Sequence, residues 1–139
     1  DSEDSIRTNT IIFLGKIAGK LKPSVRDKVL VSAFVRGVND PFPAARLAGL
    51  RATSACSAYI SESDVCLKIL PSVVTCLIDP SSNSVREAAF SCMELYLGKI
   101  KEVSLAMKQS EDEQRAREAE ARISQTNSLD GSMSLKMNE

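Results

Sequence analysis

Histidine and tryptophan are absent from the 139-residue chain. Without histidine there is no Ser-His or Cys-His nucleophile pair and no H-E-x-x-H metal site, so the commonest hydrolytic constellations are missing and no catalytic residue is assigned. Aromatic residues make up 4%, too few for the platforms on which single-stranded nucleic acid stacks. The six glycines, at 15, 19, 37, 49, 98 and 131, form neither a P-loop nor G-x-G-x-x-G, which excludes the usual nucleotide cradles and implies no cofactor. No apolar run reaches the ~18 residues of a membrane span. Asp1-Ser2-Glu3-Asp4 also lacks the basic and apolar regions of a signal peptide.

Cysteine is present without metal-site spacing. Cys56, Cys66, Cys76 and Cys92 stand 10, 10 and 16 residues apart with no histidine to join them. Metal ligands usually come in close pairs such as C-x2-C, so no metal site is expected and the four read as buried, reduced core thiols. That suits the cytosol or nucleus. Eighteen basic residues balance eighteen acidic ones. Residues 1–108 carry 14 Lys and Arg against 11 Asp and Glu, and residues 109–139 carry 4 against 7. The bias is too mild for the strongly basic face of a nucleic-acid binder.

What the chain does have is a repeat. Asn39-Asp40-Pro41-Phe42-Pro43-Ala44-Ala45-Arg46 returns as Ile78-Asp79-Pro80-Ser81-Ser82-Asn83-Ser84-Val85-Arg86, with a weaker echo at Asp4-Ser5-Ile6-Arg7. Arg7, Arg46 and Arg86 are 39 and then 40 residues apart, a period that belongs to stacked repeats. Each copy reads as a hinge between two helices. Counting from each arginine, the fourth residue is Ile11, Leu50 or Phe90, and the tenth is Ile17, Cys56 or Tyr96.

The helices follow from apolar periodicity. The first uses Ile6, Ile11, Leu14, Ile17, Ala18 and Leu21, and Lys22-Pro23 ends it. Ser24-Val25-Arg26-Asp27 fits a capping box for the second, which ends near Gly37. The third runs from about Pro43 to Tyr59 and is crowded with small residues that let helices approach closely. A fourth, from Asp64 to about Ile78, contains Pro71 and should kink or shed its first turn there. Ser84-Val85-Arg86-Glu87 is a second capping box and opens the fifth. The domain reading is therefore a helical-repeat segment over 1–103, with the second helix of one repeat at 5–21 and full repeats at 24–60 and 63–101. A charged extension, helical or partly disordered, follows at 104–123, with Glu111/Arg115, Glu113/Arg117 and Glu118/Arg122 at i,i+4. A disordered tail at 124–139 completes it. An array that begins in mid-repeat is expected to be cut from a longer solenoid, with an open apolar face at its N-terminal end.

At each hinge the proline fits the first helical position and the aspartate before it can cap the helix. An arginine in a helix's first turn is electrostatically misplaced unless an acid compensates it. Asp40 with Arg46, and Asp79 with Arg86, therefore read as parts of a structural charge ladder between adjacent repeats. A concave surface lined by the post-hinge helices would be the place for a partner protein, with Lys16, Arg51 and Glu94 as exposed contacts.

The Asp-Pro hinge followed by Val/Ala-Arg resembles HEAT repeats, an all-α solenoid of antiparallel helix pairs. Ile6-Arg7-Thr8-Asn9-Thr10, Leu14-Gly15-Lys16-Ile17, Val29-Leu30-Val31-Ser32-Ala33-Phe34, Asp40-Pro41-Phe42-Pro43-Ala44-Ala45-Arg46-Leu47-Ala48-Gly49 and Lys68-Ile69-Leu70-Pro71 resemble, in this order, the C-terminal part of the HEAT array of the Scy-like pseudokinases. The resemblance covers roughly residues 4–100. It implies a catalytically impaired kinase-like domain upstream and an adaptor in COPI-coated vesicle traffic between Golgi and endoplasmic reticulum. Coat components or small GTPase-linked trafficking factors would then be partners, and tRNA is a further one through the nuclear tRNA export reported for some members. The implied location is cytoplasmic, peripheral at the Golgi, with nuclear shuttling. Some members end in a basic coat-binding signal; Ser134-Leu135-Lys136-Met137-Asn138-Glu139 departs from that pattern.

Overall fold

Two prolines set the register of the first helix pair. Pro23 and Pro43 each occupy a first helical position, where the missing amide hydrogen has no intrahelical partner to lose. The residues before them, Lys22 and Phe42, are extended (ψ 136° and 121°), as a residue preceding proline prefers. In the computed structural model, which describes residues 2–138, this produces α1 (Ser2–Ile17), α2 (Pro23–Val38) and α3 (Pro43–Ala55). Single 3-10 turns follow α1 at Ala18–Lys20 and α3 at Ser57–Tyr59. A fourth helix, α4, covers residues 62–76, and α5 covers Asn83–Met137. No strand occurs among the described residues.

The expected caps move by one or two positions. Pro23 starts α2 one residue before Ser24, the Lys22 carbonyl accepts from Val25 and Arg26, and no side chain caps the helix. At α5 the cap is Ser82, whose hydroxyl accepts from the Val85 amide at 3.2 Å; Ser84 already lies inside the helix. Ser61 caps α4 by accepting from Asp64. Neither hinge aspartate caps a helix, each closing its own turn instead, and Pro80 of the second hinge stands three residues before α5 and not at its first position. Pro71 does not split α4 either. The turn ahead of it widens to a π-turn at Val65–Ile69, with the Leu70 amide donating to Val65. That spacing accommodates a ring that would otherwise press on the carbonyl four residues back.

Packing is two-layered, as a solenoid of helix pairs requires. The post-hinge helices α1 and α3 lie side by side, α2 packs against α3 within its pair, and α2 meets α4 in the other layer. Small residues decide how close they come. A Cβ placed on Gly49 of α3 would stand 2.7 Å from the Val38 nitrogen and 2.8 Å from the Gly37 carbonyl carbon, so α2 and α3 cross backbone to backbone. Gly15 of α1 likewise faces Ala52 of α3. Around these crossings Leu30, Phe34, Val38, Leu50, Val65, Ile69, Val73, Val85 and Tyr96 form one buried core.

Several apolar positions of the helical pattern stay in solvent: Ile6 is 63% and Phe90 52% exposed, although Ile11 and Leu50, at Phe90's repeat position, are buried. Ile11 and Leu50 lie on α1 and α3, which pack side by side, and Phe90 lies on α5. Ala55 and Leu97 are exposed as well. Cys56, Cys76 and Cys92 are buried and their thiol pKa values are pushed up by desolvation, whereas Cys66 is exposed on the π-turn. A thiol reagent at pH 8 is therefore expected to modify Cys66 alone in the native protein, and all four cysteines in denaturant. Mass spectrometry of the intact adduct would read the stoichiometry, and a second fast-reacting cysteine would contradict the burial.

The chain divides after Ile100 into two units, 1–100 and 101–139. In the second, the helix runs on to Met137 where a disordered tail was expected at 124–139. Propagating an existing helix adds a hydrogen bond for each residue fixed, and no proline interrupts it. The expected i,i+4 ion pairs are replaced. Arg115 bonds Asp112 at 2.9 Å, while Gln109 and Gln114 take Glu113 and Glu118 at 3.2 and 3.1 Å. All these side chains are exposed, so such exchanges involve only tenths of a kcal/mol, roughly 0.3 each.

Candidate partner surface and the hinge ladder

Each hinge is closed by its aspartate. Asp40 Oδ1 accepts from the Phe42 amide at 2.8 Å; Asp79 Oδ1 accepts from the Ser81 and Ser82 amides at 3.0 and 3.1 Å and from the Ser81 hydroxyl. A short side chain reaching its own backbone two residues on is the usual device of an Asx turn. The same carboxylates then receive arginines from the preceding repeat. Arg7 donates through Nε and Nη2 to both oxygens of Asp40, at 2.8 and 3.2 Å. Arg46 donates likewise to Asp79, at 2.6 and 3.0 Å. Both pairs join residues 33 apart and are bidentate, the strong form of charge-assisted bond.

These pairs differ from those read off the hinge motif. Arg46 does not take the Asp40 carboxylate but its backbone carbonyl, with Nη1 donating to Asp40 and Pro41 at 2.9 Å each. Arg86 repeats this contact with the Asp79 carbonyl at 2.6 Å and adds Asn83. The carboxylate of each hinge is already turned into its own Asx turn and toward the repeat before it. The hinge arginine therefore finds only the carbonyls at home. Arg7, noted only as an echo, supplies the rung for Asp40.

The electrostatics follow from the burial. Asp79 is 4% exposed, yet its pKa falls to about 2 because the Arg46 guanidinium and the serine donors outweigh desolvation. Asp40 shifts down in the same way, chiefly through Arg7, and Arg7 shifts up through Asp40 and Asp4. A third tie, which the repeat did not reveal, comes from Lys99 on α5, whose ammonium donates to the Ser57 and Ile60 carbonyls at 2.6 and 2.7 Å. Tyr96, fully buried, donates to the Thr53 carbonyl, and burial drives its own pKa upward. Arg26 lies over the Tyr59 ring at 4.1 Å. No spacing rule marks Lys99 or Arg26, since their partners are set by helix packing.

Lys16, Arg51 and Glu94 are all exposed. Lys16 and Arg51 share the wall of one groove, of about 670 Å³, between α1 and α3. Arg51 also borders a second groove, of about 380 Å³, that runs toward Ser84 and Glu87 of α5. Glu94 lines neither. Among the described residues no group of His, Cys, Asp or Glu could hold a metal ion, and no helix is long and apolar enough to cross a membrane.

Helix pairs, a two-layer stack and arginine–aspartate rungs from hinge to hinge define a HEAT-type helical-repeat scaffold. No family model matches the chain. It is 39% identical over 110 residues to "Protein kinase domain-containing protein ppk3" of Schizosaccharomyces pombe, across 79% of this chain and 17% of that protein. It is 30% identical over 100 residues to "Probable inactive serine/threonine-protein kinase scy1" of Dictyostelium discoideum, across 72% of this chain and 12% of the relative. The crystal structure of Cex1p superposes with a TM-score of 0.64 at 30% identity, over 76% of this chain and 20% of the Cex1p chain. The chain is a helical-repeat segment of the Scy-like pseudokinase family, and it spans under a fifth of the curated relatives it matches.

Proposed function

We propose that this segment is a non-catalytic, protein-binding scaffold within a Scy-like pseudokinase that acts in COPI-type vesicle traffic between Golgi and endoplasmic reticulum. Its partners would be coat components or small GTPase-linked trafficking factors, met in the cytoplasm at the Golgi surface. One observation carries the binding role. The hinge carboxylates and arginines are spent on holding repeats together, whereas Lys16 and Arg51 stand exposed along a groove on the post-hinge layer. Any kinase-like domain would lie in other parts of the protein.

Capture of the endogenous protein with an antibody to residues 1–108, followed by mass spectrometry, tests this reading. Kinase-like peptides from the same polypeptide together with coat subunits are the expected result; a different companion domain and no trafficking protein would overturn it. A second reading, a tRNA adaptor that shuttles to the nucleus, is favoured by the two free cations of the groove. Neutralising phosphates would make binding steeply salt-dependent. Titration of tRNA against the chain at low and physiological salt decides it, and absence of binding at low salt removes it.

A further inference from the structure

We propose that the groove between α1 and α3 receives a short amphipathic helix of a partner protein, one that carries carboxylates beside its apolar stripe. The assignment rests on the protein-scaffold reading and names the chemistry of the partner.

The groove has the dimensions of a helix seat. Its walls come from Thr8, Ile12 and Lys16 of α1, spaced by four residues, and from three successive turns of α3, Ala44 to Ala55. At 1.5 Å per residue that is a trough on the order of 12–16 Å long, two to three helical turns. Alanines form much of the α3 wall and Gly15 opens the α1 side, so an incoming backbone can come close, as small residues allow wherever helices pack. Ile12, 40% exposed, and Leu47 supply apolar contact. This is the helix-in-groove mode, in which anchors at i, i+3 or i+4, and i+7 enter a hydrophobic trough.

Charge selects among such helices. Among the described residues Lys16 and Arg51 are the ionisable ones that line the groove, and no acid lines it. Neither makes a hydrogen bond or ion pair with any described residue. Every hinge arginine, by contrast, is held by a carboxylate or a carbonyl. Two cations flank the Gly15–Ala52 contact of α1 and α3, one on each helix. A helix with acids flanking its apolar stripe would satisfy both, whereas a basic one would be repelled; like charges in register act as a filter on partners.

The test is selection of a display library of random 16-residue peptides on the full chain. Enriched peptides are expected to place Leu, Ile, Met or Phe at helical spacing with Asp or Glu beside them. Their affinity is expected to fall at least tenfold with Lys16→Glu/Arg51→Glu and to recover when the peptide's acids are changed to lysine. Ala44→Glu, at an exposed position on the groove wall, should weaken the same peptides. An unchanged melting temperature shows that these variants still fold.

Four results would overturn the groove assignment: no enrichment, enriched peptides free of acids, binding indifferent to both variants, or tRNA taking the same two cations in place of peptide. Endogenous partners that survive the charge reversal would leave the scaffold reading standing while removing this one.

Discussion

Gly49→Ala is expected to destabilise the repeat unit by about 3 kcal/mol, lowering the melting temperature by roughly 10–20 °C. An added methyl would meet the Val38 nitrogen at 2.7 Å and the Gly37 carbonyl carbon at 2.8 Å. Both are backbone atoms that no rotamer change can withdraw. Alanine's better helix propensity returns at most about 1 kcal/mol, so overpacking wins. Two other glycines serve as controls. At Gly15 the nearest atom is the Ala52 methyl at 3.1 Å, and a few tenths of an ångström of adjustment should suffice for a smaller loss. At Gly98 nothing lies within 4 Å, so Gly98→Ala in α5 should gain about 0.5–1 kcal/mol. Thermal unfolding of the three variants checks the order; a Gly49→Ala protein as stable as the parent would mean that α2 and α3 do not touch there.

Arg46→Ala is expected to cost about 3 kcal/mol at neutral pH, more than Arg7→Ala. Arg46 and Asp79 are 13% and 4% exposed, and removing the cation leaves a buried carboxylate with only serine donors, the situation in which breaking an ion pair is most expensive. Arg7 is 40% exposed, so water screens its pair and the loss is smaller. The melting temperature should fall without loss of the groove's binding. Acid titration adds a directional check. Asp79 binds its proton near 2 in the folded state and near the ordinary 3.8 when unfolded. Its contribution, about 2 kcal/mol, is therefore complete above pH 4 and lost as pH falls toward 2. Asp40 acts in the same direction through Arg7. In Arg46→Ala the carboxylate gains a proton more readily, which relieves the buried charge, so the gap between parent and variant should narrow from pH 5 to pH 2. A gap that stays constant over that range would place the destabilisation elsewhere than in the ion pair.

Much of the architecture was legible because it is written locally. Proline at a first helical position, apolar residues at spacings of three and four, and an arginine returning every 39 or 40 residues each act over one or two turns. Of the ladder, Asp40, Arg46 and Asp79 stand in the hinge motif, but Arg7 is only an echo of it, Arg86 reaches a carbonyl in place of a carboxylate, and the pairing is not written there. A hinge motif shows Asp40 near Arg46, and only stacking brings Asp79 to Arg46 across 33 residues. Lys99 and Ser82 carry no local signal for related reasons: one bonds carbonyls some forty residues away, and the other sits in a run of serines where any could cap.

Cys66 and Phe90 mark the boundary between the two kinds of information. Composition places both inside; Cys66 stands exposed on the π-turn ahead of Pro71, and Phe90 is half exposed where its repeat equivalents Ile11 and Leu50 are buried. A stack of helix pairs with charged hinges is already written in the order of residues, because helix propensity, proline geometry and periodicity are properties of neighbouring residues. Which hinge locks to which, that Gly49 must be bare, and that Lys16 and Arg51 share one groove while Glu94 stands apart are set by how the helices stack. Those outcomes depend on the angle and distance at which whole helices meet, which arise from packing the entire layer and not from any short stretch of chain.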